Sequence, residues 1–278
     1  MPSLFPIIDP DDPRIEAYRD IRERDLVGRQ GLFVAEGKVV VEKLVASSLH
    51  RPLSLLIAAK RIEALEPLLA QLPDDVPVFA AAQPVMDAVA GFPMHRGILA
   101  IGRRLENPTP DALLGAVFDK DEGAGDVLFL SGIANHDNMG GIFRNAAGFG
   151  VKAVLLDPDC CDPLYRKAIR VSVGAALLVP FARLARGEDT FALLERYGMV
   201  SLALSPAGET LLSEWHPAHR NAVLLGAEGP GLPPALIGRT NSARIPMFGG
   251  FDSINVATTS GIVLHHLCSR RLREEKLG

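Results

Sequence analysis

The sequence predicts an α/β protein in two parts, a smaller N-terminal α/β domain and a larger C-terminal domain built on a parallel sheet. Three observations carry this. From Asp126 onward, short continuous apolar runs alternate with segments of helical periodicity, the pattern of strands buried on both faces of a parallel sheet. Residues 1–107 also alternate strand-like and helix-like stretches, less regularly, as in a small α/β sandwich. Between them, residues 106–125 (ENPTPDALLGAVFDKDEGAG) have the Pro, Gly and Asp content of a linker. The boundaries follow: 1–107 for the first domain, 108–124 for the linker, 125–278 for the second domain.

In the first domain a charged helix is expected over Arg14–Arg24. Leu32–Ala35 reads as a strand running into a helix that starts near Gly37. Leu53–Ala58, Val76–Ala80 and Gly97–Arg103 read as strands, with a helix over Arg61–Gln71. Asp111–Phe118 has the makings of a short helix within the linker. In the second domain, DVLFLSG (126–132) is a buried strand and NMGGIFRNAAGFG (138–150) a helix that ends at glycine. AVLLD (153–157) is a strand, and PLYRKAIRVSVGA (163–175) a helix opened by proline. LLVPF (177–181) reads as a strand and DTFALLERYG (189–198) as a helix closing on Gly198. MVSLAL (199–204), NAVLLG (221–226) and ARIPM (243–247) read as strands, PPALIGR (233–239) as a short helix and SINVATTSGIVLHHLCSRRL (253–272) as a long last helix.

Composition narrows the class. The chain is 48% hydrophobic and 22% charged with a net charge of −4, which argues against disorder. No apolar run reaches the ~18 residues of a membrane span, and the opening MPSLFPIIDPDDPR carries Pro and acid where a secretory signal needs a basic start and an apolar core. Cys160, Cys161 and Cys268 form neither a disulfide framework nor a zinc-ligand spacing. The expectation is a cytoplasmic protein with no membrane and no metal. The acidic total means that any nucleic-acid binding must come from local cations.

Three stretches could carry chemistry. NHDNMGGIFRNA (135–146) follows an apolar strand, and open α/β sheets bind ligands at the carboxyl ends of their strands. It sets Asn138 near a helix start and Arg144 six residues on, with Gly140 and Gly141 allowing close approach. Asn138 as a helix cap and Arg144 as a solvated helix residue explain the same spacing. LLGAEGPGLP (224–233) runs a strand into a glycine-rich turn, either a ligand-binding loop or a plain tight connection. IPMFGGFDSINVATTSGI (245–262) places Ser253 and Asn255 at the start of the last helix, where both are ordinary caps and Asp252 is another. Ile254, Val256, Ile262, Val263 and Leu264 read as core or dimer surface. The absence of GxxxxGK[ST] and GxGxxG removes a P-loop and a Rossmann dehydrogenase.

In this order and these settings, the three stretches resemble the three motifs of the SpoU (TrmH-like) RNA methyltransferases of the SPOUT superfamily. Asn138 and Arg144 match N-x-G-x-x-x-R; Gly226, Glu228 and Gly231 match G-x-E-x-x-G; I-P-M followed by a glycine loop and Ser253, Asn255 and Ala257 match the third. RVSVGA (170–175) is similar to the family's intermotif stretch. FVAEGKVVVEKL and HRGILAI give residues 1–107 a resemblance to the family's L30e-like RNA substrate-binding domain. Asn145, where many relatives have Thr, and NHD before the first motif depart from the common pattern without touching the motif residues.

The resemblance implies S-adenosyl-L-methionine as cofactor, methyl transfer to a ribose 2′-hydroxyl of tRNA or rRNA, a trefoil knot in the C-terminal part, and a homodimer. It assigns Arg144 to the reacting hydroxyl or its phosphate. A free arginine, with a pKa above ~12, is a poor base at pH 7, so electrostatic stabilisation of the developing alkoxide is the preferred role. Asn138 is implied to orient Arg144 or the ribose, Ser253 and Asn255 to hold the motif loop and contact substrate or cofactor, and Glu228 to fix its loop. Main-chain groups of Gly226, Ile245, Met247 and Ile254 are implied to hold the cofactor, with Glu228, Gly231, Asn255 and Ala257 in the same matched motifs. Arg19, Arg22, Arg24, Arg29 and Lys38, and Arg166, Lys167 and Arg170, are candidate phosphate contacts or merely solvated cations. His265, His266 and Cys268 read as packing or surface residues. Two other functions remain open at this level: an RNA-binding scaffold with an inactive methyltransferase domain, and a SPOUT enzyme methylating a base.

Overall fold

The computed structural model describes residues 3–19, 31–91, 93–118 and 123–274. Two compact units emerge: Met1–Glu106 together with Asp162–Leu178, and Asn107–Cys161 together with Val179–Gly278.

The first unit holds a five-stranded mixed sheet of β1 (Leu4–Ile7), β2 (Leu32–Glu36), β3 (His50–Ala58), β4 (Val78–Ala81) and β5 (Ile98–Arg104), in the order β1-β4-β3-β5-β2. β1, β4 and β3 run parallel, and β5 is antiparallel to β3 and β2. Its helices are α1 (Lys38–Ala46), α2 (Ile62–Leu69) and α3 (Gln83–Ala90). Ile15, Tyr18, Leu56, Phe79, Met86 and Leu99 pack into one core cluster. β1 escapes the sequence reading because it is a short edge strand with only Ile7 buried, so it shows no alternation. α3 escapes it by being short, though Pro84 opens it and Gly91, at φ 77°, closes it. The expected helix Arg14–Arg24 is a 3-10 turn, Pro13–Tyr18, capped by the Asp12 carboxylate; beyond Arg19 the expectation lies outside the described residues, as do Arg22, Arg24 and Arg29.

The second unit is a seven-stranded sheet, parallel in every pairing, in the order β10-β12-β9-β11-β6-β7-β8. Its strands are β6 (Gly125–Ser131), β7 (Ala153–Leu156), β8 (Phe181–Arg183), β9 (Val200–Leu204), β10 (Thr210–Leu211), β11 (Arg220–Gly226) and β12 (Asn241–Arg244). Along with α4 (Pro110–Phe118) and α5 (His136–Gly148) it carries α7 (Thr190–Arg196), α8 (Pro234–Ile237) and α9 (Val256–Glu274); α6 (Arg166–Val171) belongs to the first unit. β6 is buried along its whole length: the apolar run Val127–Leu130 accounts for its centre, and the buried Asp126 is paired with Asn221 and Arg271. Two expected strands are shorter. Ala175–Leu177 form a 3-10 turn, and β8 begins only at Phe181, after Pro180, which has no N–H for a ladder. β12 ends at Arg244, so Ile245, Pro246 and Met247 leave the sheet; Pro246 again offers no donor.

Segment Asp162–Leu178 corrects the domain division. The sequence places it in the C-terminal domain, yet it packs within the first unit. Arg166 pairs with the buried Glu36 at 2.6 Å. Lys43 Nζ donates to Val173 O at 2.6 Å, and Ser47 Oγ to Leu177 O at 2.8 Å. Val173 holds a positive φ of 53°, unusual for a β-branched residue, and the next residue, Gly174, lies so close to α1 that a Cβ would sit 3.4 Å from Val40 Cα. These long-range polar contacts involve residues about 130 positions apart, and no local sequence pattern announces them.

Candidate active site

One side chain ties the three motif stretches together. Asn255 Nδ2 donates to Asn138 Oδ1 at 2.8 Å and to Glu228 Oε1 at 2.7 Å. Its Oδ1 accepts from the N–H groups of Ala257 and Thr258 at 2.9 and 3.2 Å, which makes Asn255 the N-cap of α9. A single amide therefore starts the last helix and joins the loop after β11 to the start of α5. Asn138 is buried and is not the cap of α5. Asn135 is, its Oδ1 accepting from Asp137 N at 2.7 Å and Asn138 N at 3.4 Å. Asn138 is thus released to face Asn255.

The loop entering α5 is fixed from β7. Asp157 accepts from Ser131 Oγ and Gly132 N, both at 2.8 Å. Gly132 has φ 67°, and a Cβ there would come within 3.3 Å of the Ala227 Cβ, so the loops after β6 and β11 run side by side at the carboxyl end of the sheet. Gly226 is demanded by sterics: a Cβ would lie 2.2 Å from Leu232 N and 2.3 Å from Gly231 C. The glycine turn folds back over the strand end, with Gly231 N bonded to Ala227 O at 3.0 Å.

The loops after β9, β11 and β12 line a pocket of about 650 Å³, within the range of small-molecule sites. Gly226, Glu228, Gly231, Ile245, Met247, Ser253, Ile254 and Asn255 line it, joined by Ser205, Asp252 and Thr259, which sequence reasoning missed. Ser205 belongs to the loop after β9, whose role becomes visible only once β9 is seen beside β11.

Three expected site residues lie elsewhere. Ala257 is absent from the pocket lining and instead lies under Gly141, where a Cβ would come within 2.7 Å of its own; it serves the close α5–α9 contact. Asn138 touches the pocket only through Asn255. Arg144 is exposed on α5 and does not line the pocket. Asn145 has a part that sequence reading left unassigned: Nδ2 donates to Ala257 O at 2.7 Å and Ser260 Oγ at 2.9 Å, fastening α5 to the first turn of α9.

The remaining candidates sort by burial and partner. Arg166 is taken up by Glu36 and is unsuited to phosphate; Lys38 lies 3.8 Å from Glu42 at the surface, Arg19 donates to Asp12 O at 3.3 Å, and Lys167 and Arg170 are exposed. His265 meets the Phe149 ring edge-on at 6.0 Å, His266 Nε2 lies 2.8 Å from Trp215 O, and Cys268 is half-buried. Burial, with the nearby Asp157 charge, pushes the Cys160 thiol up to about 12, so it stays protonated, its Sγ donating to Leu130 O and accepting from Ile133 N, both at 3.3 Å. Among the described residues no helix is long and apolar enough to cross a membrane.

A parallel sheet with a loop-built pocket at its carboxyl ends, joined through three ordered polar motifs, defines the class, an α/β protein with a ligand site at the carboxyl ends of its strands. Within it, the chain belongs to the SpoU rRNA Methylase family, whose sequence profile matches residues 126–265. The chain is 40% identical over 275 residues to an uncharacterized tRNA/rRNA methyltransferase of Mycobacterium bovis, covering 93% of this chain and 90% of that one. It is 32% identical over 178 residues to the 23S rRNA (guanosine-2′-O-)-methyltransferase RlmB of Coxiella burnetii, covering 64% and 71%. Its fold is similar to that of the AdoMet-bound rRNA methyltransferase from Sinorhizobium meliloti, with a TM-score of 0.81 at 20% identity, covering 97% and 98%.

Proposed function

We propose that the protein transfers a methyl group from S-adenosyl-L-methionine to a ribose 2′-hydroxyl of tRNA or rRNA. The observation that carries this reading is the Asn255 amide, bonded at once to Asn138 and Glu228 at the wall of the pocket. The relatives agree in kind: the similar Coxiella protein is named for 2′-O-methylation of guanosine, and the Sinorhizobium structure for its bound AdoMet.

The pocket fits the cofactor. Its size suits an adenosine joined to methionine, its wall is rich in main-chain groups from the glycine turn, and apolar Ile245, Met247 and Ile254 stand beside polar Ser205, Asp252 and Thr259. When bound, the cofactor supplies an electrophilic methyl on a good leaving group. The chain's task is to hold that methyl in line with the hydroxyl and to stabilise the developing alkoxide. Gly226, Gly231, Ile245, Met247 and Ile254 hold the cofactor. Asn255 and Glu228 keep the loop walls closed around it, and Ser253 faces the same space. Arg144, exposed, places its guanidinium at the ribose hydroxyl or its phosphate as a positive charge, and Asn138 orients Arg144 or the ribose.

The reading includes the family's trefoil knot, which membership of the family implies, with the loops after β11 and β12 lining one pocket. It also includes an L30e-like RNA-binding role for the first unit and a homodimer, for which Ile262, 39% exposed on α9, is an available apolar position. The reading also takes the protein to be cytoplasmic, as expected from the sequence.

Arg144→Ala tests the division of labour. Methyl transfer is expected to fall by about two orders of magnitude or more, with S-adenosylmethionine affinity unchanged in calorimetry. Loss of cofactor binding in this variant would move Arg144 out of the substrate side of the site.

A further inference from the structure

Phe248 and Phe251 are 89% and 76% exposed, an unusual position for a side chain that is ordinarily buried. They are the ends of one turn: Phe251 N reaches Phe248 O at 3.5 Å, and the intervening Gly249 and Gly250 have φ of 70° and 76°. Only glycine takes such a pair of angles at low cost, so the sequence F-G-G-F builds a turn that holds two aromatic rings out from the backbone. The turn lies on the rim of the pocket. Met247 on one side and Asp252, Ser253 and Ile254 on the other line the cavity, and neither phenylalanine does.

The surroundings favour a flat aromatic ligand over a protein surface. The rings are set among Pro246, two glycines, Asp252 and Ser253, all exposed, and Ile254, 37% exposed, is the nearest exposed large apolar residue in sequence; two rings and one isoleucine fall short of the broad apolar centre that a protein interface carries. Isolated aromatic faces beside a basic or polar site are the usual platform for unpaired bases. Resting on the functional reading above, we infer that Phe248 and Phe251 stack an unpaired nucleobase of the substrate RNA next to the ribose that receives the methyl group. They are substrate-positioning residues. The adenine of the cofactor shares this chemistry, but the rings' absence from the pocket lining places them on the RNA side.

The test compares wild type, the double variant Phe248→Ala/Phe251→Ala and the double variant Phe248→Trp/Phe251→Trp, using whichever of the tRNA and rRNA fractions, from a strain lacking the gene, the wild type methylates. In the alanine variant the KM for RNA is expected to rise about tenfold or more while the KM for S-adenosylmethionine and the sedimentation coefficient stay unchanged; the tryptophan variant restores the RNA KM. An unchanged RNA KM overturns the inference. So does a parallel loss of S-adenosylmethionine affinity, which assigns the rings to the cofactor's adenine, or a shift in sedimentation, which assigns them to a second copy of the chain. A wild type that methylates neither fraction overturns this inference together with the functional reading, whereas an active wild type with an indifferent variant overturns this inference alone.

Discussion

At the scale of the residue, the site turns on one amide with two separable tasks. The oxygen of Asn255 caps α9, and its nitrogen bonds Asn138 and Glu228. Asn255→Asp keeps an acceptor for the cap but has no donor, and sets a carboxylate against Glu228. We expect it to retain the thermal stability of the wild type within a few degrees and to lose methyl transfer, whereas Asn255→Ala also loses the cap at a cost of about 1 kcal/mol. Melting curves and methylation rates on both variants check this; an active Asn255→Asp enzyme would leave the helix cap as the residue's only task. Part of this was legible in the sequence. Ser253 and Asn255 at a helix start were visible as caps, and Asn138 and Glu228 as motif members. Their meeting in one hydrogen-bond junction was not, because it depends on β11 lying against β6. Ala257 shows the converse: its motif position placed it with the cofactor, and packing against Gly141 claims it instead.

At the scale of the element, apolar runs located the long buried strands well, since β6, β7 and β11 announce themselves by continuous hydrophobicity. The same signal misled at Leu177–Phe181, read as a strand: Leu177 ends the 3-10 turn Ala175–Leu177 and the strand begins only at Phe181. That turn belongs to the Asp162–Leu178 segment, and its last residue meets His50. His50 is buried, its Nδ1 lies 3.2 Å from Leu177 O, and its Nε2 has no hydrogen-bond partner among the described residues. Burial is the main cause that depresses its pKa to about 4; Arg104 depresses it further, and the Leu177 carbonyl works the other way. The native state therefore resists a proton that the unfolded chain accepts below about pH 6.5, so stability is full above that value and is lost as pH falls toward 4. Between pH 7 and pH 4.5 the contribution amounts to about 2 kcal/mol. Urea denaturation of wild type and His50→Gln across this range is expected to show a steeper loss for the wild type by that amount. Parallel curves would mean that His50 takes up its proton in the folded protein.

At the scale of the whole molecule, composition and alternation were enough for a two-part α/β chain with a parallel sheet, but they could not show that the first unit borrows Asp162–Leu178 from the middle of the chain. Contiguity is the default assumption of a linear reading, and only long-range partners such as Glu36 and Arg166 break it. The net charge of −4 likewise says little about RNA, because affinity depends on where cations stand and not on their sum. Quaternary structure belongs to this scale too. A homodimer is expected in sedimentation at micromolar concentration, and a monomer there would require one chain to supply the entire site.

The most direct measurement is to incubate the protein with methyl-labelled S-adenosylmethionine and, separately, tRNA and rRNA from a strain lacking its gene, then digest each RNA to nucleosides. Label is expected in a 2′-O-methylnucleoside from one of the two fractions. Label on a base would contradict ribose methylation, and no label in either fraction would contradict the enzyme itself.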